Sequence, residues 1–279
     1  MFDRLKRSAA LVKASAAVLR KDTHLLMFPL ISGLASIFVV LCFVLPMFGL
    51  HAFDSIGGKN GLVYSGAFLF YVVQYFVIFY FNAALVGATM MRMDGGAPTL
   101  GDGLRIANSR FGTILGYAVI AATVGVILRA IQERLGFVGR IIVGLIGVGW
   151  TVATFLVVPV LVARDSGPIE SIKESAGLLK QTWGENVIGQ SGMSLFFGLL
   201  QMGTILTGFA LLAGGLYLSS PLLVALAIVL TVVMVLVLVL VQSALSGIYA
   251  AALYRYAATG SDSLGFDNGV LQSAFKPKE

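Results

Sequence analysis

The stretch NVIGQSGMSLFFGLLQMGTILTGFALLAGGLYLSSPLLVALAIVLTVVMVLVLVLVQSALSGIYAAALY, residues 186–254, runs for 69 residues without an Asp, Glu, Lys, Arg or His. At about 1.5 Å per residue it would make roughly 100 Å of helix, several times the ~30 Å of bilayer hydrocarbon, so it must turn back once. The turn is legible at Gly214-Gly215-Leu216-Tyr217-Leu218-Ser219-Ser220-Pro221, where helix-ending glycines precede a proline suited to start a new helix. Two spans result, at about 187–213 and 222–254. The second, about 33 residues long, must tilt, kink or project beyond the hydrocarbon.

Four further charge-free runs lie upstream: Leu25–Leu50 (26 residues), Gly61–Met91 (31), Phe111–Leu128 (18) and Ile141–Ala163 (23). Each approaches or exceeds the ~18 to 20 residues needed to cross a bilayer. The expected spans are therefore six: 25–50, 63–91, 112–131, 141–163, 187–213 and 222–254. At 58% hydrophobic and 11% charged, the chain is far from the roughly 25% charged residues of a soluble domain. Its longest polar connection, about 22 residues from Arg164 to Glu185, is too short to fold around a core of its own. The fold class is all-α, a polytopic membrane protein with a single membrane domain over 1–260 and a tail over 261–279.

Six spans put both termini on one side, and the basic residues decide which. Arg4, Lys6, Arg7, Lys13, Arg20, Lys21, Arg92, Arg105, Arg110, Arg164, Lys173, Lys180, Arg255, Lys276 and Lys278 share the terminal side, fifteen of nineteen. Lys59, Arg129, Arg134 and Arg140 fall opposite. The positive-inside rule places both termini in the cytoplasm.

Arg92, Arg164 and Arg255 close the second, fourth and sixth spans and divide the chain into units of about 1–92, 93–164 and 165–255. Each unit reads as a cytoplasmic amphipathic helix followed by a helical hairpin. Lys13-Ala-Ser-Ala-Ala-Val-Leu-Arg20 parallels Lys173-Glu-Ser-Ala-Gly-Leu-Leu-Lys180, and the interval Arg92 to Phe111 equals Arg164 to Trp183, 19 residues. Asn82-Ala-Ala-Leu-Val-Gly87 likewise parallels Gln242-Ser-Ala-Leu-Ser-Gly247. Three pseudo-repeated hairpins, all entering from the same side, are the expectation, unlike the inverted repeats of many carriers.

The amphipathic stripes are Phe2, Leu5, Ala9, Val12, Ala16 and Leu19 in the first unit, and Ile169, Ile172, Ala176, Leu179 and Trp183 in the third. Such helices are expected in the headgroup plane, where Lys173 and Lys180 meet anionic lipid. The second unit's version, Leu100 to Phe111, is shorter and rich in glycine. Thr99 with Asp102 resembles a capping box, and Pro168 suits a first helical turn with Glu170 close behind. Small residues four apart, Ala83 with Gly87, Gly112 with Gly116, Ser243 with Gly247 and Gly247 with Ala251, mark helix-packing seams.

Little in the chain carries chemistry. A single cysteine, Cys42, leaves neither a disulfide framework nor a thiolate metal site. The two histidines, His24 and His51, sit about 40 Å apart along the first span, too far to share a metal. A serine with His51 and Asp54 at the outer surface is better read as a polar loop than as a catalytic group. No acid lies inside a span, which excludes an aspartyl intramembrane protease and disfavours an ion-coupled carrier. Asp94 to Gly103 is glycine-rich but lacks the Lys-Ser/Thr ending of a phosphate loop. The net charge of +6 follows membrane orientation, and no nucleic acid, metal or cofactor is expected.

The best candidate site is a midplane polar set on the returning spans: Asn82, Thr154 and Gln242. Asn82 and Thr154 lie ten residues before their closing arginines and Gln242 thirteen, roughly 15 to 20 Å from the boundary. Plain interhelical hydrogen bonding is the duller account. Arg92, Arg164 and Arg255 are boundary anchors and candidate lipid-headgroup contacts.

Asn82-Ala-Ala-Leu-Val-Gly-Ala-Thr-Met-Met-Arg92, Met93-Asp-Gly-Gly-Ala-Pro98, Gly167-Pro-Ile-Glu-Ser-Ile172 and Leu179-Lys-Gln-Thr-Trp-Gly184 resemble a family of uncharacterised prokaryotic six-span membrane proteins, a domain of unknown function. The family is more distantly similar to the membrane domain that accompanies some glycerophosphodiester phosphodiesterases. The resemblance covers most of residues 1–260 and implies a helical bundle in a bacterial or archaeal plasma membrane. It carries over no catalytic residue, since the soluble phosphodiesterase domain has no counterpart here. The expected function is a non-catalytic integral membrane module that binds lipid, a membrane partner protein, or both. The alternative is a carrier or channel for a lipid-like or other apolar substrate.

Overall fold

The computed structural model describes residues 15–49, 61–181 and 183–259. Phe2 to Val12, His51 with Asp54, and the tail 261–279 lie outside the described residues. Among the described residues all regular structure is helical. A short helix α1 (residues 15–21) leads through a 3-10 turn, Thr23–Leu26, into α2 (Met27–Gly49). There follow α3 (Gly61–Met93), α4 (Leu100–Ser109), α5 (Phe111–Arg134), α6 (Phe137–Ala153) and α7 (Val157–Ala163). The chain continues with α8 (Pro168–Gln181), α9 (Trp183–Tyr217) and α10 (Pro221–Thr259). Six stretches are long and apolar enough to cross a bilayer: Thr23–Pro46, Ser65–Met93, Phe111–Arg134, Phe137–Ala163, Gly192–Tyr217 and Pro221–Arg255. These match the six expected from the charge-free runs.

The turn between the last two spans falls where the Gly-Gly-to-Pro stretch places it, although α9 runs past both glycines to Tyr217. Ser219 takes the left-handed conformation, φ 49°, and Pro221 opens α10. Gly215 serves contact instead: a Cβ there would lie 3.0 Å from the Val224 backbone nitrogen. α4 begins at the expected capping box, with the Asp102 backbone N–H donating to Thr99 Oγ1 at 3.2 Å and the Thr99 N–H to Asp102 Oδ2 at 3.0 Å. Pro168 opens α8, and Glu170 accepts from the Gly167 N–H at 3.1 Å.

The fourth span differs from its expected form. Read as one helix over 141–163, it is two, α6 and α7, separated by a turn at Thr154, Phe155 and Leu156. Pro159 is the physical cause. It has no N–H to give the Phe155 carbonyl four residues back, and its ring crowds that carbonyl. The turn closes with three-residue hydrogen bonds, Phe155 N to Val152 O and Val157 N to Thr154 O, both 3.1 Å.

The core sits at one end of the bundle, the end that carries Arg92, Arg164 and Arg255. Ala83 to Thr89, Leu156 to Leu161 and most of Ala244 to Tyr254 are buried there, together with Leu25, Phe28, Ala107, Ile114 and Leu179. α3 is the hub and packs against α2, α4, α5, α7 and α10. Toward the opposite end the helices lie open: Leu222 is 76% exposed, Leu145 66% and Leu206 61%. Apolar exposure on this scale suits only a lipid environment.

Small residues let the core close. A Cβ on Gly103 of α4 would run into the Phe28 ring and stand 2.7 Å from the Ala84 carbonyl oxygen of α3. A Cβ on Gly247 of α10 would stand 2.5 Å from Leu85 Cδ2. Ala83 and Ala251 are fully buried, as their packing seams required, whereas nothing lies within 4 Å of Gly112.

Candidate functional site

α8 docks on the break in the fourth span. Ser175, fully buried, donates its hydroxyl to the Ala153 carbonyl at 2.7 Å and accepts the Leu156 N–H at 3.1 Å. One side chain thereby satisfies a donor and an acceptor that the interrupted helix leaves free. The most buried face of α8 is accordingly Ser171, Ser175 and Leu179. Ile169, expected on the buried stripe, is 60% exposed. The helix is rotated because a broken backbone needs a polar partner.

Beside this break lies a cavity of about 1120 Å³. α3 contributes Tyr75, Phe79 and Asn82, α5 contributes Tyr117, Ala121, Gly125 and Leu128, and α6 contributes Gly144, Gly147, Trp150 and Thr151. Thr154 and Phe155 of the turn complete the wall, with Leu179 of α8 and Ser194 and Leu195 of α9. A second cavity of about 200 Å³ lies among α2, α3 and α10, lined by Ser32, Ser243, Ser246 and apolar neighbours. Asn82 and Phe155 line both, so these two residues stand between the two spaces. Among the described residues neither lining contains an Asp, Glu, Lys, Arg or His.

Of the polar set expected at the midplane, Asn82 and Thr154 share the larger cavity. Gln242 does not join them: its side-chain oxygen accepts from Gln201 Nε2 at 3.0 Å across the α9–α10 seam. Register explains the split. Gln242 is displaced by three residues from the ten-residue interval, which is about 300° of helix rotation, and Leu245 occupies the equivalent place. Thr154 Oγ1 donates to the Trp150 carbonyl at 2.8 Å and Thr151 Oγ1 to Gly147 O at 3.0 Å.

The three closing arginines are held by protein groups. Arg92 Nε lies 3.1 Å from Asp22, Arg164 Nε 2.8 Å from Glu174 and Arg255 Nη2 2.5 Å from Asp94, while Arg110 pairs with Asp165. Arg164 also donates to the Tyr254 hydroxyl at 3.3 Å, and this bond, ahead of Glu174, raises its pKa above the ordinary guanidinium value. With 25% to 54% of these side chains exposed, solvent screens each pair and little of the fold's stability rests on them. Lys173 and Lys180 are exposed on α8. Among the described residues no three metal-ligating side chains cluster.

Sequence reasoning passes over Ser175, Phe155 and Pro159. The proline inside an apolar run is the available signal, since it predicts a break and hence a need for a capping side chain.

A protein-family model described as "Family of unknown function (DUF6159)" matches residues 62–265. None of the curated proteins matches the chain.

Proposed function

Because the chain belongs to this family of unknown function, no activity comes to it by membership, and we propose from its geometry that it is a non-catalytic membrane module that binds lipid. The cavity of about 1120 Å³, set among membrane-crossing helices and without a charged side chain among its described lining residues, carries this reading. Its size matches the upper end of ligand pockets, about 300–1,000 Å³. The test is purification in nanodiscs of mixed lipid composition followed by mass spectrometry of what stays bound. Retention of a lipid class enriched over the bulk mixture is expected. No enrichment, with no co-purifying protein partner, would defeat the reading.

The reading extends to architecture and place. Three hairpin units, each led by an interfacial helix, would sit in a prokaryotic plasma membrane with both termini cytoplasmic, as the basic-residue bias favours. Gly103 and Ser175 support the repeat. Each lies eleven residues after a closing arginine, Arg92 or Arg164, and each meets the backbone of the returning span before it, at Ala84 or at Ala153 and Leu156. Distant kinship with the membrane domain of glycerophosphodiester phosphodiesterases fits a lipid setting. The boundary arginines, with Lys173 and Lys180, would meet headgroup phosphates with their exposed portions.

A second reading, a carrier for a lipid-like substrate, is favoured by the two cavities having only Asn82 and Phe155 as shared lining, a wall that side-chain rotation could open. Reconstituted liposomes test it. Movement of fluorescent lipid between leaflets that falls on Phe155→Trp supports a carrier, and no movement above protein-free liposomes excludes it for that lipid.

A further inference from the structure

We infer that the larger cavity binds an uncharged lipid alcohol, a diacylglycerol-like molecule, with its hydroxyl on Thr151 and Thr154 and its chains leaving between α6 and α9. The inference rests on the lipid-binding reading and narrows it to a ligand class.

The direction of the hydrogen bonds selects the headgroup. Thr151 and Thr154 each spend their O–H on a carbonyl of their own helix, Gly147 O at 3.0 Å and Trp150 O at 2.8 Å. Toward the cavity they offer lone pairs alone. A ligand that pairs with these two oxygens must therefore bring a donor, which an alcohol has and a carboxylate or a phosphate diester without hydroxyls lacks. An anion would also find no countercharge among the described lining residues, and an unpaired charge removed from water is strongly disfavoured. Asn82, on the same cavity, offers the amide N–H₂ that an ester carbonyl requires.

The packing supplies the route. Among the described residues α6 packs against α5 and α8, α9 against α10 and α8, and α6 and α9 share no extended contact. Ser194 and Leu195 of α9 nevertheless line the cavity, so the gap between these two helices borders it and is the route the inference assigns to the chains. A Cβ added at Gly144 would meet no atom within 4 Å, and one at Gly147 only Leu128 Cδ1 at 4.0 Å, so that side of α6 stays low enough for chains to pass.

The test uses the full-length protein in phosphatidylcholine nanodiscs and dioleoylglycerol with a diazirine on one acyl chain. Labelled peptides should fall within 117–128 and 144–155. Unlabelled dioleoylglycerol should compete at least tenfold better than its 3-methyl ether, which has the same chains and esters but no O–H. The matching diazirine phosphatidylmethanol, an anionic diester without an O–H, should not label these segments. Thr151→Val with Thr154→Val should reduce diacylglycerol labelling about tenfold at unchanged thermal stability. Equal competition by the methyl ether, or equal labelling by phosphatidylmethanol, overturns the alcohol assignment while leaving lipid binding intact. If neither probe labels the cavity segments, lipid binding at this site falls as well. The ether comparison uses wild-type protein and stands even if the double variant fails to fold.

Discussion

Ser175→Ala strips the break in the fourth span of its cap. The substitution removes one hydroxyl and leaves two buried backbone groups, the Ala153 carbonyl and the Leu156 N–H, without the partner they have at 2.7 and 3.1 Å. Each buried group left unsatisfied costs about 1–3 kcal/mol. Hydrogen bonds between membrane helices average only about 0.6 kcal/mol because the freed groups find other partners. Here the orphans are backbone atoms fixed by Pro159 in a turn that cannot close into helix, so little rescue is available. The lower ends of the two penalties then add to about 2 kcal/mol. Ser171→Ala is the matched control. Ser171 is equally buried, but its hydroxyl donates to Gly167 O at 2.9 Å, a carbonyl that also accepts the Ser171 N–H. Its loss leaves that carbonyl paired and takes a partner, 2.8 Å away, only from the half-buried Ser166 hydroxyl, which water can serve, so it should cost under about 0.5 kcal/mol. Reversible unfolding in mixed micelles measures the difference, and amide hydrogen exchange at Leu156 locates it. A Ser175→Ala protein as stable as Ser171→Ala, with Leu156 exchange unchanged, would refute the capping argument.

Gly103→Ala should destabilise although alanine is the better helix former by about 1 kcal/mol, because overpacking against Phe28 and Ala84 costs about 1–3 kcal/mol; a raised melting temperature would contradict the contact. The Thr99 side-chain and backbone hydrogen bonds hold the Asp102 carboxyl below its ordinary pKa. Its contribution is therefore complete above the usual carboxylate range near ~4 and is lost as pH falls through the lower folded value. The melting-temperature gap between wild type and Asp102→Ala should stay constant from about pH 8 to 5 and close below about pH 4, and a gap that widens on acidification would contradict this. Asn82→Leu should lower lipid retention severalfold, whereas Gln242→Leu should leave it unchanged while weakening the α9–α10 seam by about 1 kcal/mol; equal effects on retention would contradict the separation of these two residues.

The spans are legible in the sequence because charge is excluded from hydrocarbon whatever the tertiary packing, and the α9–α10 turn and the Thr99 cap because they are local. Asn82 and Thr154 can be paired because identical spacing from an arginine places them at one depth and on one helix face. Gln242 shares the depth only roughly and the face not at all. Ser175 is hidden among the polar positions of an amphipathic pattern, since such a pattern ranks residues by hydrophobicity and a cap is recognised by the backbone it meets. The cavity is out of reach for a similar reason. It is walled by residues of α3, α5, α6, α8 and α9 together, an arrangement that no single segment encodes.

A density map of the protein in lipid nanodiscs, at a resolution that shows side chains, addresses the central claim most directly. Elongated density between α5 and α6, ending at Thr151 and Thr154 with its tails between α6 and α9, is the expected result. A fourth span packed flush against α9, with no space beside Thr154, or a cavity holding ordered water alone, would contradict it.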